Sequence, residues 1–153
     1  MEESIVYAKK YLEDLLSFFG LNIDIYATHE DEVIELHIPS THLNGFLIGH
    51  NGDTMRSLQF IVSNALKNQG YEHSHVNVDV AEYKKQRAAQ VVDHVSEIIE
   101  KVKNEGITHE LKPMNPADRR AVHKAANEAG IITESVGIGR ERHVVLKPSQ
   151  PTE

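Results

Sequence analysis

The chain of 153 residues has no cysteine and no tryptophan. Disulfides and thiolate metal sites are therefore excluded, which suits a reducing compartment. No apolar run approaches the roughly 20 residues of a membrane-spanning helix, so no span is expected. Met1 leads directly into Glu2, Glu3 and an amphipathic segment. A basic segment, apolar block and cleavage site are missing there, so export is not expected and a cytoplasmic location is. Also missing are a His-Glu-x-x-His pair, a serine elbow, a Walker loop and a tight acidic cluster. The ten histidines read mainly as surface residues, although His73 and His75 could share one strand face. An enzyme is not expected: the sequence offers no catalytic residue, metal site or cofactor site.

Positive charge is scarce as well. The formal net charge is −7, with 40% hydrophobic and 25% charged residues, an ordinary balance for a globular protein and a poor one for unspecific attraction to polyanions. The total conceals an asymmetry. Residues 1–80 hold 4 basic against 12 acidic side chains, a net of −8, whereas residues 81–153 hold 12 against 11, a net of +1. Between Lys112 and Lys147 the balance is 7 against 4, a net of +3. Any polyanion is expected to find its foothold in the last third.

Apolar spacing sets out the elements. Ile5, Ala8, Leu12, Leu15, Leu16 and Phe19 share a helical face over residues 4–19, and Gly20 is a stop. "LNIDIYA" and "EVIELHI" alternate around the acidic turn "THEDE" and predict a hairpin ended by Pro39. A short segment through Leu43 and Phe46 leads to two glycines. A helix follows over about Asp53–Asn68, with Met55, Leu58, Ile61, Val62, Ala65 and Leu66 inward, and then the strand "HVNVDV". A long helix over about Glu82–Asn104 and a strand "ITHEL" come next. Asn115 is a good N-cap, Pro116 suits the first helical position and Asp118 stands where a capping-box acid belongs, so a helix is expected from there to about Gly130. "IITESV" and "RHVVLK" close the chain as a hairpin. The fold class is α+β, with a boundary near Ala81: one domain over 1–81, a small α/β domain over 82–148 and a disordered tail over 149–153.

Two stretches carry chemistry. In "LIGHNGDTMRSLQFIV", Gly49 and Gly52 bracket His50 and Asn51 just before a helix. Without side chains the glycines let a ligand approach the main chain, and the helix start offers free amides and a positive dipole end to an anion. By itself the four-residue pattern more often joins two helices without any ligand. In "NPADRRAVHKAANEAG", Arg119 and His123 lie one turn apart on the same face. The small apolar stripe of that helix centres about 110° away at the ideal ~100° per residue, so a core histidine is disfavoured. A solvated helix face is the plain alternative.

The first stretch resembles the K-homology (KH) signature, and the order helix, strand, strand, helix, helix, strand resembles the type II version of that fold. The resemblance implies a loop that clamps the backbone of single-stranded RNA through Gly49, His50, Asn51 and Gly52. Ile48 and Met55 then border a groove for the bases, or are plain core. KH loops commonly carry Lys or Arg where this chain has His50 and Asn51, with Asp53 just behind. A histidine is only partly cationic near neutral pH, so weak RNA binding is expected. The second stretch, with the long helix before it and the basic final strand, resembles an R-3-H domain. It implies that Arg119 meets phosphate, that His123 hydrogen-bonds to or stacks on a base, and that Arg120, Lys124, Arg140 and Arg142 extend the cationic patch.

A type II KH domain followed by an R-3-H domain resembles the bacterial Jag family, also called KhpB or EloR, over nearly the whole chain. "LKPMNPADRRAVHKA" is the most specific stretch. The resemblance implies a cytoplasmic protein that binds single-stranded RNA and regulates cell elongation and division, with a small KH-only protein or a second copy as partner. Many members carry a further N-terminal domain and linker, which are expected to be absent here. The competing reading is a protein-interaction adaptor of the elongation machinery with little or no RNA binding.

Overall fold

The computed structural model describes residues 1–149. The chain forms two compact units, Met1–Lys84 and Lys85–Glu153. Of the tail expected over 149–153, the part from Gln150 onward lies outside the described residues. Among the described residues no helix is long and apolar enough to cross a membrane.

The first unit contains α1 (Glu2–Ser17), β1 (Tyr26–Glu30), β2 (Val33–Ile38), α2 (Asn44–Ile48), α3 (Asp53–Asn68) and β3 (His75–Val80). The sheet order is β1-β2-β3, with β1 antiparallel and β3 parallel to β2. Alternation along the strands sends Ile34, Leu36 and Ile38 of β2 and Val76, Val78 and Val80 of β3 inward. They meet Ala8, Leu12 and Leu16 of α1 and Met55, Leu58, Val62 and Leu66 of α3 in one core. Burying each of these large aliphatic side chains is worth about 1.5–3 kcal/mol.

The first strand departs from expectation. It begins at Tyr26 rather than Leu21 and runs through Glu30, so the hairpin closes over Asp31 and Glu32 alone. Leu21 and Ile25 are buried without belonging to the ladder, and the Ile25 amide donates to the Glu13 carboxylate of α1 at 3.0 Å. Helix α1 also stops at Ser17. Phe19 therefore falls outside its apolar stripe and stands edge-on to Phe46, with ring centroids 5.3 Å apart.

Helix α4 (Tyr83–Glu105) follows β3 through Ala81 and Glu82, both in left-handed backbone conformations. The second unit continues with β4 (His109–Glu110), α5 (Pro116–Glu128), β5 (Ile132–Val136) and β6 (His143–Lys147). Its sheet order is β4-β6-β5, antiparallel throughout. The expected strand over "ITHEL" shrinks to two residues. Val144 and Leu146 of the central strand pack with Val91, Val95, Ile99 and Val102 of α4 and Val122 and Ala126 of α5.

Asn115 caps α5 as expected, its side chain accepting the Asp118 amide at 2.9 Å. Asp118 itself does not close a capping box. Its carboxylate turns to Arg87 of α4, which donates from Nε to Oδ1 at 3.2 Å and from Nη2 to Oδ2 at 2.8 Å. Asp118 is only 5% exposed, so this fork compensates a charge removed from water. Replacing Arg87 by Ala strands that carboxylate. The expected loss is about 2 kcal/mol in a denaturant titration, below the full value for a buried pair because Arg87 still reaches solvent. Asp118→Asn in the same chain should recover part of it.

Candidate nucleic-acid interface

The bend after α2 depends on backbone conformations that few residues tolerate. Gly49 sits at φ 71°, ψ −169°, a region open essentially to glycine alone. Asn51 (φ 50°, ψ 31°) and Gly52 (φ 82°, ψ 14°) complete a single 3-10 turn, His50–Gly52, before α3 begins. A β-carbon on Gly49 would collide with Thr54 Oγ1 and lie 2.8 Å from the Thr54 amide. The bend thus folds tightly onto the first turn of α3, whose start has no side-chain cap. His50 and Asn51 project into solvent, with Asn51 Nδ2 3.3 Å from His50 Nε2. Asp53 is paired locally, its Oδ1 accepting from Arg56 Nη2 at 2.5 Å.

Ile48 is half-buried against the core. Met55 is 2% exposed, so of the two roles left open for it the structure assigns the core.

Three residues that the sequence reading did not single out stand near the bend. Arg56 and Tyr83 are the nearest neighbours of a β-carbon built on Gly52, with Tyr83 Cε1 at 3.1 Å and Arg56 Nη1 at 3.3 Å. Lys84 Nζ donates to Asn77 Oδ1 and, at 3.4 Å, to Gln59 Oε1. Asn77 Nδ2 in turn donates to Glu35 Oε2 at 2.6 Å. Burial is the largest influence on Lys84 and lowers its pKa, Asp79 and Glu35 raise it, and Arg56 lowers it. Tyr83 and Lys84 lie some thirty residues beyond the bend in sequence, so no local motif signals them.

On the second unit, α5 carries Arg119 and His123 on one face as their spacing predicts. His123 is held on both ring nitrogens: Nδ1 lies 2.6 Å from Thr133 Oγ1 and Nε2 2.8 Å from Ser135 Oγ, both on β5. That occupies the atoms expected to bond to a base, and makes His123 a brace that fixes α5 over the strand. Arg119, one turn away and half-buried, has no side-chain partner among the described residues. Arg120, Lys124 and Arg140 are exposed and likewise have no carboxylate partner among the described residues. Arg142 differs, donating from Nη1 to the Gly137 carbonyl at 3.2 Å. Alternation along β5, with Thr133 and Ser135 two residues apart, was the available signal for the histidine's partners.

Residues 89–148 match the family model of the R-3-H domain. The chain is also similar to curated proteins named RNA-binding protein KhpB. That of Clostridium symbiosum is 29% identical over 141 residues, covering 91% of this chain and 64% of the relative. That of Streptococcus pneumoniae is 23% identical over 147 residues, covering 95% and 44%, and that of Bacillus subtilis 25% over 148 residues, covering 94% and 70%. The chain thus spans less than two thirds of the first two of these relatives.

Two outcomes test this geometry. Gly49→Ala should lower the melting temperature, since it adds about 1–3 kcal/mol of backbone strain to the overlap with Thr54, whereas Gly45→Ala, in open space within α2, should be neutral or better. For Lys84, a folded pKa below the ordinary 10.5 means that the folded state holds fewer protons than the unfolded state between the two values. Stability should therefore rise with pH across that alkaline window, and denaturation midpoints of Lys84→Met should lack the rise.

Proposed function

We propose that this chain is a non-enzymatic RNA-binding protein of the Jag (KhpB) kind, with a type II KH domain over residues 1–81 and an R-3-H domain over 82–148. The observation that carries the reading is the set of cations left without carboxylate partners among the described residues, Arg119, Arg120, Lys124 and Arg140, inside the segment that matches the R-3-H model. In a chain of net charge −7, carboxylates are plentiful. Cations kept clear of them stay available to an external anion. The relatives' names supply the class of that anion, RNA.

The finer reading is that the RNA is single-stranded. Gly49, His50 and Asn51 would approach its sugar-phosphate backbone with Ile48 beside them and the buried Gly52 shaping the turn, and Arg119, Arg120, Lys124, Arg140 and Arg142 would hold phosphates on the second unit. His123, with both ring nitrogens held by β5, would offer its ring face for stacking on a base. The proposed setting is the bacterial cytoplasm, in post-transcriptional control of cell elongation and division.

One observation favours the second reading, an adaptor with little RNA affinity. Phe18, Phe19 and Phe46 are all exposed, Phe18 at 86%, on the acidic first unit, where a small KH protein or a second copy would find an apolar contact.

Titration of single-stranded RNA at several salt concentrations separates the two. Arg119→Glu should weaken binding about tenfold, ~1.4 kcal/mol, and reduce the slope of log affinity against log salt by about one. Protein partners recovered by crosslinking without any reproducible RNA would favour the adaptor.

A further inference from the structure

Ile138 is the most exposed large hydrophobic residue among those described, at 89%. It occupies the tip of the hairpin between β5 and β6, and the tip is braced. Gly137, at φ 93°, fits because a β-carbon there would meet the Glu141 carbonyl at 2.9 Å. The Glu141 amide donates to the Ile138 carbonyl and the Arg142 amide to the Gly139 carbonyl, each at 3.3 Å. The Arg142 guanidinium ties back to the Gly137 carbonyl. A braced turn that holds an isoleucine out in water does not relieve its apolar surface, so the exposure is a property of the fold.

The tip also lies at the end of the sheet where α5 begins. The Met114 amide donates to the Arg142 carbonyl at 3.2 Å, which places the start of α5 at the hairpin end of the sheet. The short link from α5 to β5 sends the strand back along the helix. From His123, fixed against Thr133 and Ser135, one turn back to Arg119 is about 6 Å, and the two residues on from Ser135 to Gly137 cover about 7 Å. Arg119 is therefore level with the tip. Arg140 and Arg142 stand on the tip itself, with Glu141 as its acidic residue. An apolar side chain on a tip that carries Arg140 and Arg142, with Arg119 at the same height along the sheet, suits a ligand that is apolar and anionic by turns, which describes an unpaired nucleotide better than a protein surface.

Resting on the RNA-binding reading, we propose that Ile138 is a base-contacting residue of the second unit: the face of an unstacked base lies on its side chain while the flanking phosphates meet Arg119 and Arg140. Every base has such a face, so the contact is tolerant of sequence. In a duplex those faces are stacked away, so it selects single strands.

The test uses the full chain, a labelled RNA of mixed sequence and the same RNA annealed to its complement. Ile138→Ser should weaken single-strand binding about three- to tenfold, leave the salt slope and duplex binding unchanged, and Ile138→Tyr should restore or exceed the original affinity. Unchanged single-strand binding by Ile138→Ser overturns the proposal while the RNA reading survives. So does an equal loss on the duplex, or a shift in oligomeric state without a change in RNA affinity. Wild-type protein that binds neither RNA removes the RNA reading itself and the proposal with it.

Discussion

The turn between α2 and α3 exists only because residue 49 has no β-carbon. With its ψ near −169°, Gly49 folds the chain directly onto the Thr54 amide, and any side chain there would occupy the space of Thr54. The tight fold has two effects at once. It presents His50 and Asn51 to solvent, and it starts α3 without a capping side chain. The surrounding residues then moderate the charge. Arg56 neutralises Asp53, and Lys84 is held beside Asn77, Gln59 and Glu35.

The second unit follows a related principle of internal satisfaction. Its least exposed ion pair, Arg87 with Asp118, is closed on itself, and His123 spends both nitrogens on the hydroxyls of β5. Polar groups inside are matched inside, which leaves Arg119 and the exposed cations as the groups with capacity to spare. A histidine so fully bonded stiffens the helix-to-strand contact. The helix face that carries Arg119 is thereby fixed against β5.

Much of this was legible in the residue order. The periodicity of α1, α3, α4 and α5 and the alternation of β2 and β3 follow directly from apolar spacing, and the Asn115 cap from its residue type ahead of Pro116. The glycine pair and the Arg-x-x-x-His spacing marked both candidate surfaces. Contacts over long sequence separations were hidden: Arg87 finds Asp118 across 31 positions, and Tyr83 reaches Gly52 from the far side of β3. The start of β1 was misjudged because Leu21, Ile23 and Ile25 alternate like a strand, while the Glu13 carboxylate takes up the Ile25 amide that a ladder would have used. Burial and pairing both reward alternation, and spacing alone does not separate them.

The outer edge of β3 was not left bare. Gln59 reaches from α3 to accept the Val78 amide at 3.2 Å, and the ammonium of Lys84 stands against the same glutamine. A foreign strand docking on that side would have to displace a bonded amide and a cation before its own main chain could pair. Pairing of a foreign strand along the β3 edge of the first sheet is thereby discouraged.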